Sequence, residues 1–443
     1  GTFSIAVIPD TQHYRGQKAK PESKTPLTNP VFKAYAGWIT DNLKSQRIVF
    51  VSHVGDIVDI NNREQWTVAR HHMDRLHGRV PYGISVGNHD MTRAGDSSLF
   101  QEFFPAKRFS KFDWYGGTFK PATGRTAVSG NNASSYQLFQ AGGMYFVFLH
   151  LECNAPDDVL EWADGILKKH SHRRAIITTH MGLGPREKPK LARDYYDAPK
   201  GRMKWKKCHG NRGNTPQEMW DKCFRKHANL FMICCGDQSR TLALHQSVRG
   251  DHGNVVHEIL SDYGTNGMRI MRFIPAKNRI EVRTWNPVTS RLCLKTSIVR
   301  QAERHQFELE YVMVGKTEKA EPREETNRSN SWNQFRGPNG SGVSSAVTVP
   351  AQWTAADYNW QTELPGVGHS SPVLWGRKLF LTSGDEATGR RFVLCLDSQT
   401  GKQLWQRAFE APQHRKHQLN TYASATPVVD VQRVLCKGVA KGL

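Results

Sequence analysis

The chain predicts an α/β (α+β) fold over residues 1–315, strands sandwiched by helices, followed by a smaller all-β segment over 332–443. Three observations carry this reading. Short apolar, β-branched runs alternate with amphipathic stretches through the first part of the chain. From about Asn254 the pattern becomes strand-rich. After a polar stretch at 316–331 the composition turns to Trp, Gly and Pro, with short apolar runs separated by turns.

The elements follow in order. Residues 3–8 form an apolar strand, 31–43 a helix, and 48–54 a β-branched strand that runs into Gly55-Asp56. A helix at 63–76 leads to a strand at 82–86, which ends in Gly87-Asn88. Residues 144–149 have the length of a buried strand, and 156–170 read as a helix. Strands at 174–178 and 230–235 repeat the earlier pattern, and 255–260, 268–274 and 280–285 close the domain. Polar and ionisable residues stand directly after several of these runs. They therefore fall at the carboxyl ends of strands, where α/β sheets build their sites.

The 443 residues carry 61 Lys and Arg against 40 Asp and Glu, a formal charge of +21. Most of the surplus lies in the first domain, and 186–226 is especially dense in basic side chains. Such a surface raises the local concentration of anions and favours an anionic substrate. Tyr195, Tyr196, Trp205 and Trp220 interleave with the charges, so nucleic acid stays open as the less favoured ligand. No apolar run is long enough to span a membrane. The eight cysteines include no CxxC pair, which argues against a zinc knuckle. Cys234 and Cys235 read as packing residues, while Cys208, His209, Cys223 and His227 fit no defensible zinc spacing. Gly1 leads straight into a strand, so the natural start and any export signal are expected to have been removed.

Four signatures carry the chemistry. Asp10-Thr11-Gln12 follows the first strand, Gly55-Asp56-Ile57-Val58-Asp59 the second and Gly87-Asn88-His89-Asp90 the third, and His180 ends the strand at 174–178. Carboxylate, amide oxygen and imidazole suit Mn, Fe or Zn. Two such ions can clamp the attacking and leaving oxygens of an in-line displacement. One such signature alone means little, because an Asp after a strand is commonly a helix cap. Four in this order resemble the calcineurin-like metallophosphoesterases over most of residues 1–300, a four-layer sandwich of two sheets between helices.

The resemblance implies a hydrolase of phosphate monoesters or diesters that uses two divalent or trivalent ions and metal-bound hydroxide. Asp10 would hold the first ion and Asp56 would bridge both. Asn88 and His180 would hold the second. His89, paired with Asp90, would contact the phosphate and protonate the leaving oxygen, with Asn88 also at the phosphate. Asp59 would support its loop. Two departures stand out. Gln12 replaces the family's usual His, and its oxygen would ligate the first ion. The family's closing Gly-His-x-His is Gly236-Asp237-Gln238-Ser239 here. Asp237 would replace one imidazole at the second ion, and Arg240 would bind the phosphate as a bidentate donor. His13, His53, His245, His252 and His257 are the remaining imidazoles that could complete the first ion's shell. The departures also raise a rival reading, a degenerate phosphoesterase that binds phosphorylated ligands without turning them over.

Beyond the charged linker at 316–331, Ser331-Trp332-Asn333-Gln334-Phe335-Arg336-Gly337, Leu364-Pro365-Gly366-Val367-Gly368-His369 and Cys395-Leu396-Asp397-Ser398-Gln399-Thr400-Gly401-Lys402-Gln403-Leu404-Trp405 are similar to PQQ-like β-propellers. The Asp-x-x-Thr-Gly-x-x-x-Trp repeat would place a turn before a strand whose Trp packs between blades. About two blades fit, fewer than a closed propeller needs, so the segment is expected to be truncated or frame-shifted. A quinone cofactor is not supported. The segment would serve docking, and so a protein partner, or would itself be the functional half as an interaction scaffold. Propellers of this kind are usually exported, which implies a periplasmic or secreted protein.

Overall fold

The computed structural model describes residues 1–16, 26–122, 127–313, 332–337, 340, 342–343, 352–429 and 433–436. The chain divides into two compact units, Gly1–Lys319 and Ala320–Leu443. The charged linker expected at 316–331 and the closing residues 437–443 lie outside the described residues.

In chain order the first unit runs β1 (Phe3–Ile8), α1 (Pro30–Asn42), β2 (Ile48–His53), α2 (Arg63–Met73), β3 (Tyr82–Ile84), α3 (Ser98–Phe103) and α4 (Ala106–Phe109). It continues through β4 (Tyr115–Thr118), β5 (Ser135–Ala141), β6 (Met144–Leu151), α5 (Asp157–Lys169), β7 (Arg174–Thr179), β8 (Leu183–Pro185), α6 (Asp194–Asp197) and β9 (Lys200–Arg202). The remainder is α7 (Pro216–Lys222), β10 (Leu230–Cys235), β11 (Ala243–Arg249), β12 (Val255–Ser261), β13 (Met268–Ile274), β14 (Arg279–Asn286), β15 (Arg291–Leu292) and β16 (Gln306–Glu310).

Two large mixed sheets result. One has the order β15-β14-β13-β1-β2-β3, with β16 also on β14; β1, β2 and β3 are parallel and β13 is antiparallel to β1. The other has the order β11-β12-β10-β7-β6-β5-β4, with β12, β10, β7 and β6 parallel. Side-chain alternation shows how they stack. Phe3, Ile5 and Val7 of β1 share a core with Phe146 and Phe148 of β6 and Phe231 of β10, so the two sheets pack face to face. Ala6 and Ile8, on the other face of β1, pack with Phe32, Tyr35 and Ile39 of α1 and Trp66 of α2. On the far side, Val147, Leu149 and Ile177 meet Leu160, Ala163 and Leu167 of α5 and Trp220 of α7. The layers therefore read helix, sheet, sheet, helix. Each phenylalanine sealed in the central layer contributes roughly 1.5–3 kcal/mol relative to exposure.

Local chemistry explains the helices that flank the site. Asn29 caps α1, accepting from Phe32 N at 3.0 Å, with Pro30 in the first turn, where its missing N–H costs nothing. The same Asn29 donates to Thr11 O at 2.6 Å, which ties the helix start to the loop after β1. Asn62 caps α2 through Gln65 N at 2.9 Å.

Strands β5, β11, β15 and β16 were not expected from the sequence. In β11, Ala-Leu-His-Gln-Ser-Val-Arg has no buried alternation because the strand lies at a sheet edge and is half-exposed. Helix α2 ends at Met73, three residues short of the expected bound, where the last turn tightens.

The second unit holds an antiparallel four-stranded sheet of β17 (Val373–Trp375), β18 (Lys378–Gly384), β19 (Arg391–Asp397) and β20 (Gln403–Phe409), in chain order. A two-stranded piece of β21 (Val428–Val429) and β22 (Val434–Leu435) accompanies it. The turn between β19 and β20 is closed by Asp397 Oδ1, which accepts from Gln399 N and Thr400 N, both at 3.0 Å. Gly401 takes φ +70°, and the Trp360 ring lies where a side chain would go. Trp405, expected between blades, lies on the outer strand and is 37% exposed, against the Phe380 ring at 6.0 Å.

Candidate metal centre

The carboxyl ends of parallel strands from both sheets meet at one place. Asp10 follows β1, Asp56 follows β2 and Asn88 follows β3, all in one sheet; His180 follows β7, Asp237 follows β10 and Asp262 follows β12 in the other. A cavity of ≈ 190 Å³ opens there, lined by Asp10, Gln12, Asp56, His89, Tyr195, Lys207, Asp237, Gln238, Ser239, Arg240 and Asp262. A larger open hollow of ≈ 1250 Å³, bordered by Arg174, Phe231, His245 and Tyr311, brings no comparable group of ligands together.

The glycines before Asp56, Asn88 and Asp237 have a steric reason. A Cβ on Gly87 would lie 2.1 Å from Asp56 Oδ1, one on Gly236 2.2 Å from Asp10 Oδ1, and one on Gly55 2.8 Å from His180 Nδ1. Each glycine makes room for a polar side chain delivered by another loop. Asp56 and Asp237 themselves sit at φ +49° and +72°, the left-handed region that Asp tolerates better than most residues.

Asp10, Asp56 and His180 each bring one ligand atom within 4.8 Å of the others, and all three are buried. His180 Nδ1 donates to Val54 O at 3.0 Å, which fixes the tautomer and leaves Nε2 as the ligating atom, 3.1 Å from Asp56 Oδ1. Asp10 Oδ2 accepts from Asp237 N at 3.2 Å, while its buried Oδ1 has no hydrogen-bond partner. An unpaired buried carboxylate oxygen facing a second carboxylate and an imidazole is costly unless a cation completes it. These donors fit a divalent ion.

The electrostatics point the same way. Burial, reinforced by Asp262, holds the Asp10 carboxyl well above its ordinary value. Burial, then Asp237, pushes Asp262 up to about 7. Burial would also raise Asp237, but Lys207 and His180 outweigh it and hold it at about 2. Burial opposes a charged His180, yet Asp56 and Asp10 raise its imidazole well above the usual range. The cavity lining carries more acidic than basic side chains, Asp10, Asp56, Asp237 and Asp262 against Lys207 and Arg240.

Several expected roles are corrected by the geometry. His89 and Asp90 do not pair. Asp90 points inward, its Oδ1 accepting from Ile57 N at 2.8 Å and Val58 N at 3.1 Å and its Oδ2 from Gly87 N at 2.8 Å. It organises the Asp56 loop, and burial pushes it up to about 7. His89 is exposed; its Nδ1 bonds to Asp59 O at 2.8 Å, and its backbone N–H donates to Asp56 Oδ1 at 2.9 Å. Asp59 thus acts through its backbone. Gln12 turns its amide nitrogen to Asp56 Oδ2 at 3.0 Å and so holds that candidate ligand in place. Asn88 Oδ1 and Asp237 Oδ1 both accept from Lys207 Nζ, a residue the sequence reading did not single out. Arg240 is exposed at the cavity rim, with its guanidinium over the Tyr195 ring at 5.4 Å.

Four of the five spare imidazoles have other partners. His53 bonds to Thr11 Oγ1 and Gly55 N, His257 to Ser247 Oγ and Glu310 O, and His252 to Lys226 O, while His245 stacks on Phe307. Cys223, His227 and Asp164 do gather, with His227 Nε2 at 3.2 Å from Asp164 Oδ1, but Asp164 is also bound by Lys168. Cys208 and His209 are not part of that group. Among the described residues no helix is long and apolar enough to cross a membrane.

No family model matches the chain. It is 27% identical over 298 residues, 64% of its length, to the uncharacterized protein YvnB of Bacillus subtilis (strain 168). The match spans only 20% of that relative's length. Among solved structures, purple acid phosphatase PPD1 from yellow lupin is similar at TM-score 0.42 and 12% identity, over 70% of this chain and 54% of the other. A dimetal phosphatase from Danio rerio gives TM-score 0.36 and 12% identity over 66% and 98%. A 5'-nucleotidase precursor from Thermus thermophilus gives 0.37 and 13% over 66% and 53%. At these scores the likenesses are weak, and the chemistry has to stand on the cavity itself.

Proposed function

We propose that the first unit is a calcineurin-like metallophosphoesterase that hydrolyses phosphate esters with a bound metal ion. The observation that carries this is the convergence of Asp10, Asp56 and His180 from two sheets onto one cavity, with Asp10 Oδ1 left unpaired. Those three residues would hold the ion. When bound, it supplies Lewis-acid polarisation of a phosphoryl oxygen and eases deprotonation of water.

The chain's own residues divide the remaining work. Arg240 at the rim would draw in and orient the anionic ester, and the surrounding basic surface would raise its local concentration. His89 bonds through Nδ1 to the Asp59 carbonyl, which leaves Nε2 as the ring atom that exchanges a proton with the leaving oxygen. Asp90 and Gln12 keep Asp56 in position, Asp90 through the backbone of the Asp56 loop and Gln12 directly. The four-stranded sheet of the second unit would be a blade of a PQQ-like propeller segment used for docking. The similarity of that segment to exported propellers supports work in the periplasm or outside the cell.

The test is hydrolysis of bis(p-nitrophenyl) phosphate and p-nitrophenyl phosphate by the full chain loaded with Mn²⁺, beside Asp56→Asn. Turnover of either ester that falls by at least ~10²-fold in the variant supports the reading. Equal rates in both proteins would refute it. Binding of phosphate esters without turnover in the wild type would favour the degenerate alternative.

A further inference from the structure

The resemblance assigns Asn88, His180 and Asp237 to a second ion, yet a different cation already stands among them. Lys207 Nζ donates to Asn88 Oδ1 at 3.2 Å and to Asp237 Oδ1, and Asp237 Oδ1 is 3.6 Å from His180 Nε2. An ion ligating both oxygens would sit about 2.0–2.2 Å from each, in the space the ammonium fills. The first position fits a metal; the second does not.

The lysine is held in place from its backbone. Its N–H donates to Asn154 Oδ1 at 2.9 Å, and the N–H of Cys208 donates to the same oxygen at 3.2 Å. Asn154 is buried just beyond β6 at φ +54° and in turn donates to Asn214 O at 2.9 Å. One residue further, His209 adopts φ +64° with its buried ring 3.3 Å from Glu152 Oε2. A Cβ on Gly95 would lie 2.0 Å from that ring, so glycine is needed for the approach. On the other side, the Trp205 indole donates to Pro185 O at 2.9 Å, and its ring faces the ammonium at 6.0 Å.

We infer that Lys207 is the resident cation of the second position, so that the centre takes one metal ion, at Asp10, Asp56 and His180, and one ammonium. This deepens the proposed function and rests on it. The loss of the family's imidazoles then has a physical reason. At Gly236-Asp237-Gln238-Ser239 a carboxylate pairs with the lysine, where an imidazole could not. The symmetric clamp of two ions is replaced by an ion on one side and a point charge with three donors on the other.

The test counts ions. The full chain is stripped with chelator, titrated with Mn²⁺ by calorimetry, and assayed for retained metal by elemental analysis after gel filtration. Lys207→Ala and Lys207→Ser are treated in parallel, with circular dichroism confirming the fold. The expected result is one ion per wild-type chain and two in the variants. Two ions in the wild type would overturn the inference while leaving the metal-dependent reading intact. One ion in every form would overturn it as well, because the lysine would not be what excludes the second. No ion in any form would overturn the metal-dependent reading itself, and the inference with it.

Discussion

Replacing Gly87 by alanine tests whether the glycines of the strand-end motifs exist to make room for ligands. The new Cβ would lie 2.1 Å from Asp56 Oδ1 and 2.2 Å from Asp56 N, where ordinary contact begins at 3.4 Å. The carboxylate could swing aside, but the backbone nitrogen cannot, so the loop carrying Asp56 must shift by more than about 1 Å. Asp56 also accepts from His89 N and Gln12 Nε2 and faces His180 Nε2, so the shift breaks a connected set of contacts. Overpacking of this kind costs roughly 1–3 kcal/mol in stability. Loss of the contacts that hold a metal-ligating carboxylate costs about 10–10²-fold in metal affinity. Urea unfolding measures the first quantity and Mn²⁺ titration the second. A suitable control is Gly165→Ala in α5, where nothing lies within 4 Å of the added Cβ. That change is expected to raise stability by roughly 0.5–1 kcal/mol. Mn²⁺ affinity within twofold of wild type in Gly87→Ala would refute the steric argument.

Arg240→Ala is expected to raise KM for an anionic ester about tenfold with little change in kcat, since Arg240 lies at the rim and contacts no ligand residue; a fall in kcat alone would contradict this. Acid should erode the contribution of His150 to stability, read as the difference in urea midpoint between the wild type and His150→Gln. His150 is fully buried between Ser52 and Gln137, and burial, reinforced by His53, lowers its pKa from 6.5 to about 3. The folded state thus refuses a proton that the unfolded chain binds, and the stabilisation, full above about pH 6.5, is lost as pH falls towards 3. The slope is about 1.4 kcal/mol per pH unit, and a difference between wild type and variant that stays flat below pH ~6.5 would contradict it. Arg269→Met should cost roughly 2–4 kcal/mol, because it removes a buried guanidinium that donates to Ser261 Oγ, Thr284 Oγ1 and the carbonyls of Arg304 and His305, and thermal unfolding reads the loss directly.

Much of the centre was legible because it is written locally. An apolar run followed by a polar residue marks a strand end, and Asp10, Asp56, Asn88, His180 and Asp237 all come together there, three of them behind a glycine. What was not legible depends on tertiary placement. The resemblance implies that His89 and Asp90 act as a pair, yet Asp90 is taken up by the backbone N–H groups of Ile57, Val58 and Gly87 while His89 bonds to the Asp59 carbonyl. Lys207 lies in a loop crowded with cations, and nothing local separates it from Lys204 or Lys206. Only Asn154, fifty-three residues away, selects it. Asp262 follows a strand without a preceding glycine, so it lacked the motif's mark. Edge strands such as β11 escaped because half-exposed strands need no apolar alternation.

The most direct test of the central claim is the metal dependence of ester hydrolysis by the chelated full chain. Adding Mn²⁺ back should restore hydrolysis of bis(p-nitrophenyl) phosphate or p-nitrophenyl phosphate from background to a saturable rate. A rate unchanged by removing and restoring the ion, or no hydrolysis under either condition, would contradict the account.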